Sequence, residues 1–132
     1  KHRMSKVNLD IAQRLDITCR KGDTFKLQLS VKDANNLPVN TSGSVYGYKL
    51  EVRETDTAPT AIIPSSGFTF TGDASGNLTI EASATTMNVD SGLYVYDFQT
   101  TTLVSSITGA SGFVQTWFYG IFNINEDVSV TT

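Results

Sequence analysis

The sequence predicts an all-β fold, an antiparallel β-sandwich of about seven strands. Several short stretches alternate between apolar and polar residues with a period of two, which is typical of strands that bury one face. Charged residues make up only 17% of the chain, while Thr, Ser, Gly and Asn are abundant, as in all-β proteins with polar turns. The 132 residues are enough for one domain with one core.

A third observation specifies the type of sandwich. Asp90, Gly92 and Tyr94 form an Asp-x-Gly-x-Tyr motif that leads into an alternating strand. The motif resembles the tyrosine corner of immunoglobulin-like sandwiches, in which the Tyr hydroxyl binds an upstream backbone group and holds the turn before a late strand. Immunoglobulins carry a Cys two residues after that Tyr, but this chain has Tyr96 there and Cys19 is its only cysteine. We therefore expect an immunoglobulin-like sandwich without a disulfide.

The N-terminal residues 1–14 are predicted to form an extended arm, followed by the sandwich domain at 15–132. Lys1-His2-Arg3 before Met4 is typical of a vector-derived remnant with Met4 as the natural start. His2, the only histidine, lies in this predicted remnant, so we expect no histidine in a functional site.

The strands of the sandwich are predicted from alternation and from the turns that separate them. Phe25, Leu27, Leu29 and Val31 share one face of the clearest strand, between two turns rich in Gly, Asp, Asn and Pro. The predicted strands are 15–19, 24–32, 46–54, 68–70, 77–81, 93–99 and 112–124.

Four smaller features complete the prediction. Ile62-Ile63, bounded by prolines, favours a brief edge strand, and 84–89 favours a single helical turn. Gly120 predicts a bulge or a close backbone approach in the last strand. Cys19 is predicted to be a small buried side chain rather than a reactive thiol.

The charge pattern argues against two classes of partner. The net charge is −3 and the basic residues form no stripe that would neutralise phosphates, so we expect no binding to nucleic acid. The apolar runs are far shorter than the roughly 18 residues of a membrane helix, and no signal-peptide pattern opens the chain. We expect a soluble protein that does not bind membranes.

The sequence offers no clear set of catalytic or metal-binding residues. Without a usable histidine, neither a Ser-His nor a Cys-His pair can form, and Cys19 has no partner for an ordinary zinc site. The acidic turns 33–36 and 73–77 lack the spacing of a calcium loop. Asp97 is predicted to share a strand face with Leu93 and Val95, where a carboxylate at an interface would need a partner. We predict no enzyme activity, no cofactor and no metal.

Trp117-Phe118-Tyr119 is the densest aromatic cluster and the candidate interface. Neighbouring residues of a strand point to opposite faces, so at least one of these rings should leave the core. An exposed ring would mark a contact surface for a protein partner, or one that stacks on a sugar.

A set of motifs, taken in chain order, resembles a known family. It is similar to the immunoglobulin-like N-terminal module of tailed-phage baseplate upper proteins and related small phage virion proteins. In that family a Lys-Gly-Asp turn precedes a Phe-containing strand, an Asp-x-x-Gly-x-Pro hairpin follows, and Gly-x-Tyr-x-Tyr-Asp comes later; Asn36 stands here where the hairpin usually has Gly. The matching segments are 16–25, 31–33, 36–39, 48–53, 76–78 and 91–97.

The resemblance implies a non-enzymatic structural component of a tailed-phage virion, of baseplate, neck or decoration type, made in the host cytoplasm. Its partners would be further copies of itself and other virion proteins. A carbohydrate-binding or adhesin-type module is the alternative, and rows of exposed rings beside polar side chains would favour it. A glycosidase-like enzyme would instead need two convergent carboxylates in a cleft.

Overall fold

The computed structural model describes residues 5–8, 12–103 and 112–126, with only the backbone for 5–8. The predicted remnant 1–3 lies outside this part. The described residues form nine β-strands and one short 3₁₀ helix, and none of their helices is long and apolar enough to cross a membrane. The strands are β1 (Ser5–Asn8), β2 (Gln13–Arg14), β3 (Ile17–Arg20), β4 (Phe25–Lys32), β5 (Tyr46–Arg53), β6 (Thr69–Gly72), β7 (Asn77–Ala82), β8 (Gly92–Thr102) and β9 (Val114–Asn125), and the 3₁₀ helix is Ser65–Gly67.

The strands form two sheets. One sheet has four strands in the order β1-β4-β7-β6. The other has the order β2-β9-β8-β5, with β3 pairing along β9 beyond β2. The chain passes from one sheet to the other after β1, β3, β4, β5 and β7, which places β4, β7 and β6 opposite β5, β8 and β9. This strand order is that of an immunoglobulin-like sandwich, so the predicted fold class is confirmed.

The strand pairing is antiparallel except along the N-terminal segment. The pairs β4–β7, β5–β8, β6–β7 and β8–β9 are antiparallel, whereas β1–β4, β2–β9 and β3–β9 are parallel. The stretch 1–14, predicted as an extended arm, thus contributes β1 to the edge of one sheet and β2 to the edge of the other. The long intervening chain supplies the connection that parallel pairing requires.

Apolar side chains from the inner faces of both sheets form the core. Leu29, Leu78 and Ile80 are completely buried on the four-stranded sheet, as the alternation predicted. On the other sheet the rings of Phe98 and Phe118 stack with centroids 4.7 Å apart. With a single cysteine in the chain, side-chain packing must stabilise the contact between the sheets without a disulfide.

The connections between the sheets carry the smaller predicted features. Ile63 is buried and forms an isolated antiparallel bridge with Val52, at the free edge of β5, as expected for a brief edge strand. The stretch 84–89 contains one helical turn, closed by the N–H of Met87 donating to the carbonyl of Ser83 at 3.0 Å.

A β-bulge in β9 changes which aromatic rings enter the core. Phe98 pairs with Phe118, but the next residue, Gln99, pairs with Thr116, so Trp117 has no partner in the register. As a result the adjacent residues Trp117 and Phe118 are both buried. Gly120 marks the other predicted feature, a close backbone approach, because a Cβ there would lie 2.6 Å from the carbonyl oxygen of Leu15.

Candidate functional site

The outer face of the five-stranded sheet carries the candidate site. Alternation along β8 buries Tyr94, Tyr96 and Phe98 and turns the residues between them outward, so the predicted orientation of Asp97 is confirmed. We call this surface the Tyr119 face. Its members lie on β2, β5, β8 and β9 and are Arg14, Glu51, Arg53, Val95, Asp97, Tyr119 and Ile121.

The register of the strands arranges the Tyr119 face in two rows that run across the sheet. In the first row Glu51 pairs with Asp97, Asp97 with Tyr119, and Tyr119 with Arg14. Each neighbouring pair in a row is close enough for its side chains to interact.

The second row lies two residues further along the strands. Arg53 pairs with Val95, and Val95 with Ile121. Asp16 ends the row, because the backbone N–H of Ile121 donates to its Oδ1 atom at 2.9 Å. The row therefore has a cation at one end, an anion at the other and two apolar side chains between them.

Ion pairs at both sides of the face hold the charged side chains. The Nη2 atom of Arg53 lies 2.7 Å from Oε1 of Glu51, and its Nη1 atom donates to the carbonyl oxygen of Ala58, also at 2.7 Å. On the β2 side, Nε of Arg14 lies 3.1 Å from Oδ1 of Asp16. The hydrogen bond from Ile121, followed by the contact with Arg14, lowers the pKa of the Asp16 carboxyl.

The Tyr119 face is concave at its centre. A depression of about 350 Å³ spans it from β2 to β5 and is lined in part by Arg14, Glu51, Arg53, Asp97 and Tyr119. Cations, carboxylates, a phenol and apolar side chains thus meet in one hollow, a mixture that suits recognition by polar contacts around an apolar centre.

Of the three carboxylates that line the depression, those of Glu51 and Asp97 are held by neighbouring donors. Glu51 and Asp97 face each other in the register, yet Glu51 is bound by Arg53, and Asp97 accepts a hydrogen bond from Nε2 of Gln99 at 3.3 Å. Within the described ranges no three His, Cys, Asp or Glu residues come together as a metal site. The arrangement can therefore bind a partner through ion pairs and hydrogen bonds.

The three rings of the candidate interface have different surroundings. Trp117 and Phe118 are buried in the core, while Tyr119 is 43% exposed on the Tyr119 face. Only Tyr119 can therefore contact a partner without unpacking the sandwich. The bulge opposite Phe98 explains why two adjacent rings, rather than alternate ones, point inward.

The corner motif closes the turn before β8. The hydroxyl of Tyr94 donates to the carbonyl oxygen of Asp90 at 2.5 Å, and a Cβ on Gly92 would lie 3.7 Å from the Tyr94 ring. This geometry is that of a tyrosine corner. Its role is structural, since Tyr94 is buried away from the Tyr119 face.

Sequence reasoning named two members of the Tyr119 face, Asp97 and Tyr119, and missed the charged residues around them. Arg14, Glu51 and Arg53 are far from those two residues in the chain and join them only through strand pairing. Alternation in β5 does place Glu51 and Arg53 on the face opposite the apolar side chains, but nothing in the sequence joins them to Asp97 and Tyr119. Arg14 carried no such signal because β2 is only two residues long.

Comparisons with known proteins add little to this description. No protein-family model matches the chain, and no curated protein sequence matches it. Among solved structures, the chain is similar to NK cell receptor Nkp44, described as a triggering partner in natural cytotoxicity, with 16% identity and a TM-score of 0.37 over 89% of this chain and 99% of that chain. The assignment of the fold rests on the strand order given above.

Proposed function

We propose that this protein is a non-enzymatic structural module of a tailed-phage virion, located in the particle, that acts by docking against other proteins. The observation that carries the docking role is the Tyr119 face, where an exposed phenol, two arginines and three carboxylates surround one depression. Interfaces are enriched in Tyr and Arg, which supply large contact areas and directional hydrogen bonds.

The virion assignment is supported by the resemblance to the phage modules. The Lys21-Gly22-Asp23 turn connects β3 to β4, and the turn at 33–38 follows β4. The Gly-x-Tyr-x-Tyr-Asp motif begins β8 and includes both the corner residue Tyr94 and the face residue Asp97. The shared segments belong to the scaffold and also supply part of the Tyr119 face, namely Glu51, Arg53, Val95 and Asp97, whereas Arg14, Tyr119 and Ile121 lie outside them.

Peptide mapping of purified particles tests the virion assignment. We expect peptides of this chain in virions that carry its gene, at a ratio to a known tail protein that stays constant through density-gradient purification. Particles that lack the chain after this purification, from cells that express it, would contradict the assignment.

One observation favours the carbohydrate-binding alternative. Tyr119 borders a depression that also contains Asp97, Glu51 and Arg53, and a sugar could stack on such a ring while its hydroxyls bind the charged groups. A glycan array tests this function: retention of the wild-type protein but not of Tyr119→Ser, together with its absence from virions, would favour it over docking.

A further inference from the structure

We propose that the Tyr119 face binds a second copy of this chain, face to face, about a twofold axis that runs parallel to β8 and β9 between the two copies. This inference rests on the proposed docking function and specifies its partner. The observation that carries it is the order of the side chains in the two rows of the face. When a row is reversed and placed against the same row of a second copy, each charge at its ends meets an opposite charge.

The axis fixes which residues meet. A twofold rotation about a line parallel to the strands keeps each row at its own height but reverses its order across the sheet. Strand β5 of one copy then lies over β2 of the other, and β8 lies over β9.

In the first row this rotation brings opposite charges together. Glu51 at one end lies over Arg14 of the second copy, and Arg14 lies over that copy's Glu51. Between them, the carboxylate of Asp97 faces the phenol of Tyr119, whose hydroxyl can donate to it. The exposed Tyr119 ring of each copy then enters the depression of the other.

The second row is complementary in the same way. Arg53 lies over Asp16 of the second copy, and Val95 lies over Ile121. The side chains of Arg14 and Asp16 are 59% and 53% exposed, so both can reach a partner. The Glu51–Arg53 ion pair of one copy thereby meets the Arg14–Asp16 ion pair of the other, which makes a network of four charges. The apolar contact between Val95 and Ile121 lies at the centre.

A twofold axis perpendicular to the strands fits less well. It would exchange the two rows and leave their order unchanged, so Glu51 would meet Arg53 and Arg14 would meet Asp16. The same rotation would cover the Asp97 carboxylate with Val95, which offers no hydrogen bond to a desolvated charge. The axis parallel to the strands avoids this cost.

The size of the face predicts a weak dimer. Four strands spaced at about 4.8 Å, each with about eight residues at about 3.3 Å, cover roughly 500 Å² per copy. Two copies would bury about 1,000 Å² in total, at the lower limit for a specific interface. Repetition in a symmetric particle would strengthen such a contact by holding copies close together.

Charge reversal tests the pairing directly. We expect sedimentation velocity of the wild-type chain between about 1 and 500 µM to show a monomer–dimer equilibrium. Glu51→Arg alone sets two guanidinium groups against each other at this contact, and Arg14→Glu alone sets two carboxylates against each other, so each variant should dimerise at least about tenfold more weakly. In an equimolar mixture of the two single variants, both contacts of the heterodimer pair an arginine with a carboxylate, so the mixture should recover dimerisation.

The double variant Glu51→Arg with Arg14→Glu swaps the two charges within each copy. Both contacts of its dimer are again between opposite charges, so we expect it to recover dimerisation to within about threefold of the wild type. A purely local effect of either substitution would weaken the dimer of the double variant as well. Recovery in the double variant, after loss in both single variants, therefore points to a contact between these two positions.

Two controls separate the interface from the fold. Lys26→Glu makes the same kind of change on the outer face of the four-stranded sheet, where Lys26 is exposed and pairs with Glu81, and should leave the dimer unchanged. Circular dichroism and thermal melting should show each variant folded before sedimentation. Tyr119→Ser gives a second measurement on the face that does not depend on charge, and it too should weaken the dimer.

Several results would overturn this inference. A wild-type chain that stays monomeric over the whole range would do so, as would folded single variants that dimerise as well as the wild type. Failure of the folded double variant to recover dimerisation would reject the axis parallel to the strands. A monomer that is nevertheless found in virions would leave the proposed function standing with a different protein on the face, whereas a dimer absent from virions would reject the virion role but not the dimer.

Discussion

At the residue scale, two buried tyrosine hydroxyls hold backbone segments in place. Tyr94 donates to the carbonyl oxygen of Asp90 and closes the turn before β8. Tyr96 lies two residues further on the same inner face, and its hydroxyl donates to the carbonyl oxygen of Leu15, in the segment that connects β2 to β3. Burial raises the pKa of both phenols above the ordinary value of 10.0, so they remain neutral donors well into the alkaline range.

We therefore expect Tyr94→Phe and Tyr96→Phe each to lower the free energy of unfolding by about 1 to 3 kcal/mol, because each leaves a carbonyl oxygen without its donor. From the sequence alone Tyr96 was expected to matter less if its hydroxyl lay nearer the surface, but the side chain of Tyr96 is buried, as that of Tyr94 is. Denaturant midpoints measure both losses. Tyr119→Phe, at an exposed position, is the control and should change stability by less than about 0.5 kcal/mol. Negligible losses at both 94 and 96 would contradict the roles given to these hydroxyls.

The thiol of Cys19 is half-buried and lies 3.7 Å from the carbonyl oxygen of Asn123. Burial, and to a lesser extent the charge of Asp23, raises its pKa from 9.0 to about 11. At any pH well below 9, the fraction of Cys19 present as the reactive thiolate is therefore about 100-fold lower than for an ordinary cysteine. We expect iodoacetamide to label the native protein slowly at pH 8, faster as the pH approaches 11, and rapidly at pH 8 in denaturant. Rapid labelling of the native protein at pH 8 would contradict this environment.

At the scale of elements, the β6–β7 hairpin is joined to the connection between β4 and β5 through Thr41. The buried hydroxyl of Thr41 donates to the carbonyl oxygen of Asn77 at 2.7 Å and accepts from the N–H of Asp73 at 3.0 Å. The carbonyl oxygen of Thr41 accepts from the hydroxyl of Tyr48 at 2.6 Å. A polar residue is thus buried in the sandwich because hydrogen bonds satisfy it on several sides.

Gly72 makes this junction possible, since a Cβ at that position would lie 1.9 Å from the carbonyl oxygen of Thr41. We expect Gly72→Ala to destabilise the protein by about 2 kcal/mol or more, because backbone must move to relieve the overlap. Gly43→Ala is the matched control. Gly43 lies with Thr41 in the connection between β4 and β5, and a Cβ there would meet nothing within 4 Å, so this variant should change stability by less than about 0.5 kcal/mol. Equal thermal melting curves for the two variants would contradict the close approach at Gly72.

At the scale of the whole molecule, stability comes from the contact between two sheets. The buried side chains form one core cluster, and the chain contains a single cysteine. We expect the melting temperature to change by less than about 1 °C when a reductant or EDTA is added, because one cysteine cannot form a disulfide within the chain and the described residues hold no cluster of metal ligands. Differential scanning calorimetry in matched buffers measures this. An EDTA-induced drop of several degrees would instead indicate a structural metal.

Much of the scaffold could be predicted because its signals lie within single strands. Alternation located the buried face of β4 and the outward orientation of Asp97, and the Asp90–Tyr94 motif located the start of β8. The parallel pairing of β1, β2 and β3 could not be predicted, because short segments at a sheet edge carry too few residues for a pattern. The bulge at Trp117 was missed for a related reason, since an extra residue in one strand is defined only by its partner.

The sequence by itself determined the fold class, the strands with a buried face, and the absence of a disulfide, because these follow from composition and from the period-two pattern of neighbouring residues. Only the tertiary structure decided which rings are available at the surface and which charges share the Tyr119 face. Arg14, Glu51 and Tyr119 come from strands remote in the chain, and their order in one row depends on strand register. Register is set by packing between strands, a property of pairs of segments that no single segment carries.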